Sequence, residues 1–255
     1  MPRPPRTTTS ILASGLTFVR HAADRGLGRA MARGAFECAE LACAVRLVAA
    51  GDVVVDGGAH LGIYALHLAQ RLGASGRVYA FEPHPETRAL LEQAVAANGF
   101  SARLVVSSAA LGDAPGAGVL RTSRRCGAYA HASLERAGAP ASRAERLIPV
   151  DVVRLDVAAI EGRVALIKLD VEGAEFLAVR GGLGLIRRDR PAILCELGDE
   201  QLARVSGASS ESLMAMLAAV GYSAHAIGPE GRAGPRLLSP PTTRVSTVLF
   251  LPARR

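Results

Sequence analysis

Between residues 50 and 200 the apolar positions alternate between two rhythms. Short dense runs, VVVD at 53–56, RVYAFE at 77–82, ARLVVSS at 102–108, VALIKLD at 164–170 and AILCEL at 192–197, read as strands buried on both faces. The stretches between them carry helical spacing. Residues 63–72 form a helix with Leu61, Ala65, Leu68 and Leu72 along one face. Residues 86–98 form another, closed by Asn98-Gly99, and a third follows Asp170 to Arg180 and stops at Gly181-Gly182. Upstream, residues 28–50 read as one helix ended by Gly51-Asp52. Downstream, 209–220 reads as a helix, and GYSAHAI (221–227) and TRVSTVLFLP (243–252) as two last strands paired antiparallel. The alternation predicts an α/β fold, a doubly wound Rossmann-like sheet that is mostly parallel with an antiparallel C-terminal strand pair. It divides the chain into an N-terminal tail and helical segment (1–50) and a sheet domain (51–255).

Residues 110–146 break the rhythm. They are rich in Gly, Ala, Ser and Arg without sustained periodicity, which predicts an irregular insertion serving as a lid on the acceptor side. RLIPVDVV (146–153) reads as an edge strand.

In an open α/β sheet, ligands bind outside the carboxyl ends of the strands. The first strand ends in Asp56-Gly57-Gly58-Ala59-His60-Leu61-Gly62. Counted from Gly57, the G-x-G-x-x-G dinucleotide fingerprint lacks its middle glycine, which is Ala59. Asp56 would repel a pyrophosphate, which speaks against a nicotinamide dehydrogenase and for a cationic ligand. S-adenosylmethionine carries a sulfonium and an ammonium and no phosphate. The second strand ends in Glu82-Pro83, where an acid can take both ribose hydroxyls of an adenosine. The fourth core strand ends in Lys168, Asp170, Glu172 and Glu175. Lys168 and Asp170 share one side of the strand, and the ammonium favours the ionised carboxylate. Asp170 could then hold the cationic end of a cofactor, bind an acceptor hydroxyl or ligate a metal. Glu172 and Glu175 have a plainer reading as acids of a helix's first turn, complementing its dipole. Asp170, Glu172 and Glu196 are hard oxygen ligands that would suit a divalent ion such as Mg²⁺; surface acids without a metal are the commoner case, so no metal is assigned. His84, His131 and His67 are candidate bases, His131 within the irregular segment and His67 on a helix as a structural residue.

Composition narrows the partners. The net charge is +7, yet the arginines are scattered, Lys168 is the sole lysine and aromatic residues make up 4% of the chain. That pattern reads as a solvated surface rather than a nucleic-acid interface. No apolar run approaches the ~20 residues of a membrane span. Arg3 and Arg6 precede a weakly apolar patch that reads as a frayed tail rather than a signal peptide. Cys38, Cys43, Cys126 and Cys195 lack metal spacing and read as buried small hydrophobes in a reducing cytoplasm. Nothing in the sequence sets the oligomeric state.

Five pieces, VVVDGGAHLGIYALHLA (53–69), GRVYAFEPHPET (76–87), SAALGD (108–113), LIKLDVEGAEFLAVRGG (166–182) and RPAILCEL (190–197), occur in the order seen in FkbM-type methyltransferases. Over roughly residues 34–200 the chain resembles that branch of the class I S-adenosylmethionine-dependent enzymes. His60 stands where the family has asparagine, and Leu169 where it has isoleucine. The resemblance implies a methionine-moiety site at Asp56, Gly58, Ala59, His60 and Gly62, ribose contacts at Glu82, and adenine near Pro83 and Ser108 to Ala110. Glu37 falls where the family has a glycine-x-tyrosine-glutamate element, with Phe36 replacing the tyrosine. It further implies O-methyl transfer to a hydroxyl of a small molecule or sugar in natural-product biosynthesis, with Asp170, Glu172 and Lys168 as catalytic candidates. Two alternatives stand beside it. An amino-methylating nucleic-acid enzyme would carry an Asn/Asp-Pro-Pro-aromatic motif where this chain reads LDVEG. A non-catalytic nucleotide-binding protein could keep the same fold.

Overall fold

The structure, a computed structural model, describes residues 6–123, 132–135 and 142–253. The chain opens with strands β1 (Thr7–Ile11) and β2 (Thr17–His21) and helices α1 (Leu27–Ala32) and α2 (Cys38–Arg46). The alternating part follows as β3 (Val53–Gly57), α3 (Ile63–Leu72), β4 (Arg77–Phe81), α4 (Pro85–Ala97) and β5 (Leu104–Ser107). Next come β6 (Ala110–Leu111), β7 (Gly116–Ser123), β8 (Ser133–Glu135) and β9 (Glu145–Val153). The chain then returns through β10 (Val164–Leu169), α5 (Glu175–Gly181), α6 (Leu183–Asp189), β11 (Ala192–Leu197), α7 (Asp199–Val205) and α8 (Ser210–Ala219), ending in β12 (Tyr222–Ile227), β13 (Ala233–Leu237) and β14 (Ser246–Pro252).

Eight strands form the main sheet in the order β13-β12-β14-β11-β10-β3-β4-β5. The five strands from β11 to β5 run parallel. β14 inserts antiparallel between β11 and β12, and β13 pairs antiparallel on the outer edge. Two cores lie on opposite faces. Val54, Val78, Leu166 and Leu194 pack with α3 and α4, while Val55, Phe81, Ile167 and Ile193 pack with α5, α6 and α8. Covering on both faces is why these strands read as unbroken apolar runs. The alternation has a consequence for polar groups. On the first face Val54 is followed by Asp56, Leu166 by Lys168, and Leu194 by Glu196, so one row turns from apolar to charged at the strand tips.

The sequence-based expectations hold for this sheet and fail around it. The N-terminal tail folds into the antiparallel β1–β2 hairpin, which buries Leu16 and Phe18. It is fastened to α4 because the Asn98 carboxamide accepts from the Thr17 N–H at 2.8 Å and donates to the Thr17 carbonyl at 2.7 Å. The 28–50 helix is two helices, separated by left-handed backbone at Gly34 (φ 65°) and Glu37 (φ 43°). Residues 110–146 contain strands, and 146–153 is no edge of the main sheet. β9 lies inside a separate four-stranded sheet, order β6-β9-β7-β8. Small residues hid this ladder: a side chain on Gly118 would place its Cβ 2.7 Å from Val152 Cγ2. α6, α7 and β13 lie outside the elements that the sequence pattern predicts. Cys43 and Cys195 are buried, but Cys38 is exposed, and Cys126 lies outside the described residues.

Candidate active site

The turn after β3 is built by close backbone approach. Gly58 and Ala59 both donate to the Phe81 carbonyl, at 3.0 and 3.1 Å, joining the tips of β3 and β4. Gly58 has φ 77°, and a Cβ there would lie 1.8 Å from the Asp170 carbonyl oxygen, so no side chain fits between the β3 turn and the β10 tip. Gly62 serves packing: it caps α3 at φ 87°, and a Cβ would lie 2.3 Å from Leu91 Cδ1. His60 also has positive φ, at 49°, a region where histidine, like asparagine, is enriched, so the departure from the family residue keeps the turn.

One cavity spans these tips. Its floor includes Gly58, Ala59, His60, Glu82, Pro83 and Ala110; Lys168, Asp170 and Glu172 line it farther along; Leu27, Met31 and Phe36 close it from the N-terminal helices, and Leu120, Ala132 and Leu134 from the accessory sheet. Among the predicted residues, Asp56, Gly62, Ser108 and Glu37 are not on the cavity wall.

Glu82 is 6% exposed, and its two oxygens accept from the His60 and His84 N–H groups, both at 2.8 Å. Burial pushes its carboxyl up to about 7, against the lowering effect of those two N–H groups. Its place is fixed by the backbone, and each oxygen keeps a lone pair for a ligand hydroxyl. His84 is no base: it is buried, caps α4 through Thr87, and burial lowers its imidazole to about 4. His67 bonds the Ile63 carbonyl and the Ser14 hydroxyl, a structural role. His131 lies outside the described residues.

Asp56 is fully buried beneath the cavity, and neither carboxylate oxygen has a hydrogen-bond partner among the described residues. Strand register sets it opposite Lys168, whose Nζ is 3.9 Å from Asp56 Oδ1 and 3.2 Å from Asp170 Oδ2. The expected contact of Asp56 with a cationic ligand is thus taken by Lys168. Burial raises the Asp56 carboxyl to about 6, with Lys168 opposing. Burial works against the Lys168 charge, but Asp170, Asp56 and Glu37 outweigh it and hold the ammonium above the ordinary lysine range. The ammonium also lies 4.8 Å from the centre of the Tyr64 ring.

Glu172 does not sit in a helix's first turn. It adopts left-handed backbone (φ 53°) three positions before α5 begins, and it lines the cavity. Glu175 does open α5, 2% exposed, and turns back to accept from the N–H groups of Val171 (2.8 Å) and Gly173 (3.0 Å), fixing the loop that carries Glu172. Burial raises Glu175 to about 7.

The carboxylates that converge are Glu37, Asp170 and Glu196, with one oxygen of each within 4.8 Å of the others, rather than Asp170, Glu172 and Glu196. Lys168 already supplies positive charge to this group. Burial, then Asp170, drives the Glu196 carboxyl far up. Glu37 accepts from the Tyr64 hydroxyl at 2.7 Å. Tyr64, on α3, is a partner of Glu37 that sequence spacing could not reveal.

The accessory sheet is tied down by ion pairs. Glu135 on β8 meets Arg121 of β7 at 3.1 Å and Arg204 of α7 at 2.7 Å, and Arg121 also meets Glu145 at 2.8 Å. Leu120 and Leu134, beside these residues, are the ones facing the cavity.

A model described as the methyltransferase FkbM domain matches residues 56–224. Similar solved structures include methyltransferase FkbM from Methylobacillus flagellatus, 19% identical, TM-score 0.46, with 79% of this chain and 43% of that chain covered. An S-adenosylmethionine-dependent O-methyltransferase from Thermotoga maritima is 14% identical, TM-score 0.43, covering 83% and 63%. Aeropyrum pernix fibrillarin, with natively bound S-adenosyl-L-methionine, is 14% identical, TM-score 0.46, covering 96% and 93%. The chain therefore spans less than two thirds of the length of the first two. Comparison with curated proteins found no match.

Proposed function

The chain belongs to the methyltransferase FkbM family, an S-adenosylmethionine-dependent family, and from that premise we propose that it transfers a methyl group to a hydroxyl of a small molecule. The observation that carries the proposal is the continuity of one cavity from the Gly58–His60 turn and Glu82 to Asp170 and Glu172. The cofactor end and the acidic end face the same enclosed space, the arrangement an in-line transfer requires.

The residues fit S-adenosylmethionine: a turn at Gly58 and Ala59 that lets a ligand reach the backbone, and a carboxylate at Glu82 with lone pairs for two ribose hydroxyls. When bound, the cofactor supplies an electrophilic methyl on sulfur. The rest is work for this chain. Glu82, held by the His60 and His84 N–H groups, orients the ribose without moving. Gly58 and Ala59 admit the methionine portion to the backbone. Asp170 would receive the acceptor hydroxyl and take its proton as the methyl's bond to oxygen forms and its bond to sulfur breaks, with S-adenosylhomocysteine leaving; a placed base contributes roughly a hundred- to ten-thousand-fold. Glu172 bounds the acceptor on the same side, and Lys168 keeps Asp170 in position. Asp56 acts one step removed, through Lys168.

The test is direct. The purified chain is incubated with S-adenosylmethionine and panels of hydroxyl-bearing small molecules, free sugars and structured RNA, with S-adenosylhomocysteine quantified and the product mapped by NMR. An O-methyl product on a small molecule is expected. Methylated RNA, or methyl carried on nitrogen or carbon, would replace the proposal; cofactor binding without turnover on any panel would favour a non-catalytic binding protein.

A further inference from the structure

Resting on the methyl-transfer reading of this cavity, we infer that the acceptor is a largely apolar molecule bearing its hydroxyl on a hydrophobic body, such as a phenol, rather than a free sugar or a nucleic acid. Among the described residues, the polar side chains of the cavity are confined to the strand tips and their turns and to Tyr64 on α3. The walls that rise from other elements are apolar: Leu27, Met31 and Phe36 on one side, Leu120 and Leu134 on the other, with Val171 between the tips. Whichever of these walls the acceptor meets, it meets carbon. The apolar surface also continues outward, because Met31, Phe36 and Ile63 are shared with a second groove lined by Leu12 and Leu41.

Two costs exclude the other acceptor classes. A free sugar would press several hydroxyls against Leu, Met and Phe, each losing the hydrogen bonds it makes to water without a protein partner to replace them. A polynucleotide would bring phosphates against Asp170 and Glu172, and it would have to enter a cavity closed from two sides by folded elements. A hydrophobic body meets neither cost and gains from the apolar surface it removes from water. Leu120 and Leu134 sit on strands held by Glu135, which is bonded to both Arg121 and Arg204.

The experiment uses 1-naphthol as the probe, titrated by fluorescence into the full chain with and without S-adenosylhomocysteine, alongside D-glucose and a structured RNA by calorimetry. Saturable binding of 1-naphthol is expected. It should be weakened by about tenfold or more in Leu134→Asp, where a charge enters the wall, and less in Leu134→Asn. S-adenosylhomocysteine affinity should stay within about twofold in both variants, a readout that misfolding would abolish. Glucose and RNA should give no saturable heat. Absence of 1-naphthol binding, binding indifferent to both Leu134 variants, or stoichiometric binding of glucose or RNA each overturns the inference. Failure of S-adenosylhomocysteine to bind the unaltered chain would overturn the methyl-transfer reading instead.

Discussion

The strand-tip rim and the accessory-sheet wall both face the cavity, and they hold their charges in opposite ways. At the rim, Asp56, Glu82, Lys168 and Glu175 are between 0% and 6% exposed. Their partners are backbone N–H groups and one ammonium, fixed by strand register. In the wall, the Glu135 and Arg121 side chains keep 12% and 16% of their surface exposed and Arg204 keeps 44%, joined across three separate elements. Buried charge without a full set of partners is costly, so the rim tolerates little change. The outer pair, through the partly exposed Arg204, keeps contact with water and is worth less, so the wall should adapt more readily than the rim. One end of the cavity is therefore rigid chemistry and the other an adjustable surface.

The sharpest way to break this contrast is Lys168→Met. It leaves Asp56 and Asp170 without their shared cation, and a loss of roughly 3–5 kcal/mol is expected in urea unfolding. A loss under about 1 kcal/mol would show that the rim is not charge-coupled. Next in size is Gly58→Ala, which sets a Cβ against the Asp170 carbonyl. About 1–3 kcal/mol of destabilisation is expected, with S-adenosylhomocysteine binding lost by calorimetry. Unchanged binding would mean that the β3 turn can open without consequence.

A third prediction concerns pH. The folded Asp56, Glu82 and Glu175 carboxyls stand at about 6, 7 and 7, above their ordinary values of 3.8, 4.5 and 4.5. Between those limits the folded state binds more protons than the unfolded one, so stability falls as pH rises. The stabilisation is fully present below about pH 4 and is lost as pH passes 6 to 7. The ligand-free protein should therefore melt at a lower temperature at pH 8 than at pH 5. A rising melting temperature over that interval would contradict the account of the rim. The smallest expected effect is Arg204→Ala in the wall: under about 1 kcal/mol of stability, with cofactor affinity unchanged. It should raise the acceptor KM while leaving kcat near its original value. A fall in cofactor affinity would show that wall and rim are one unit.

The same contrast explains what could be read without a structure. Motifs at strand ends are local. Residues 53–62, 77–83 and 164–175 carry the apolar run, the glycines and the acids in one stretch, and the resemblance to the FkbM family rests on them. The wall is not local. β8 has three residues, β7 starts on Gly-Ala-Gly, and their partners are distant, so no periodicity marked them. The hairpin at residues 7–21 escaped for the same reason: its anchor, Asn98, is some eighty positions away. In the sequence Tyr64 reads as one more apolar position of α3, and only its approach to Glu37 gives it a role.

Sequence alone determined the doubly wound sheet, the family and the acids at the strand tips, because hydrophobic period and turn chemistry act within a dozen residues. Tertiary structure alone decided which of those acids reach the cavity. Register across β3, β10 and β11 buried Asp56 behind Lys168, and the turn of Glu175 back onto its own loop left Glu172 at the wall. It also decided that the remaining walls are apolar, since Leu27, Met31, Leu120 and Leu134 meet only when the N-terminal helices and the accessory sheet close over the same strand tips. Burial is a property of what packs together, and that is settled by contacts between segments far apart in the chain.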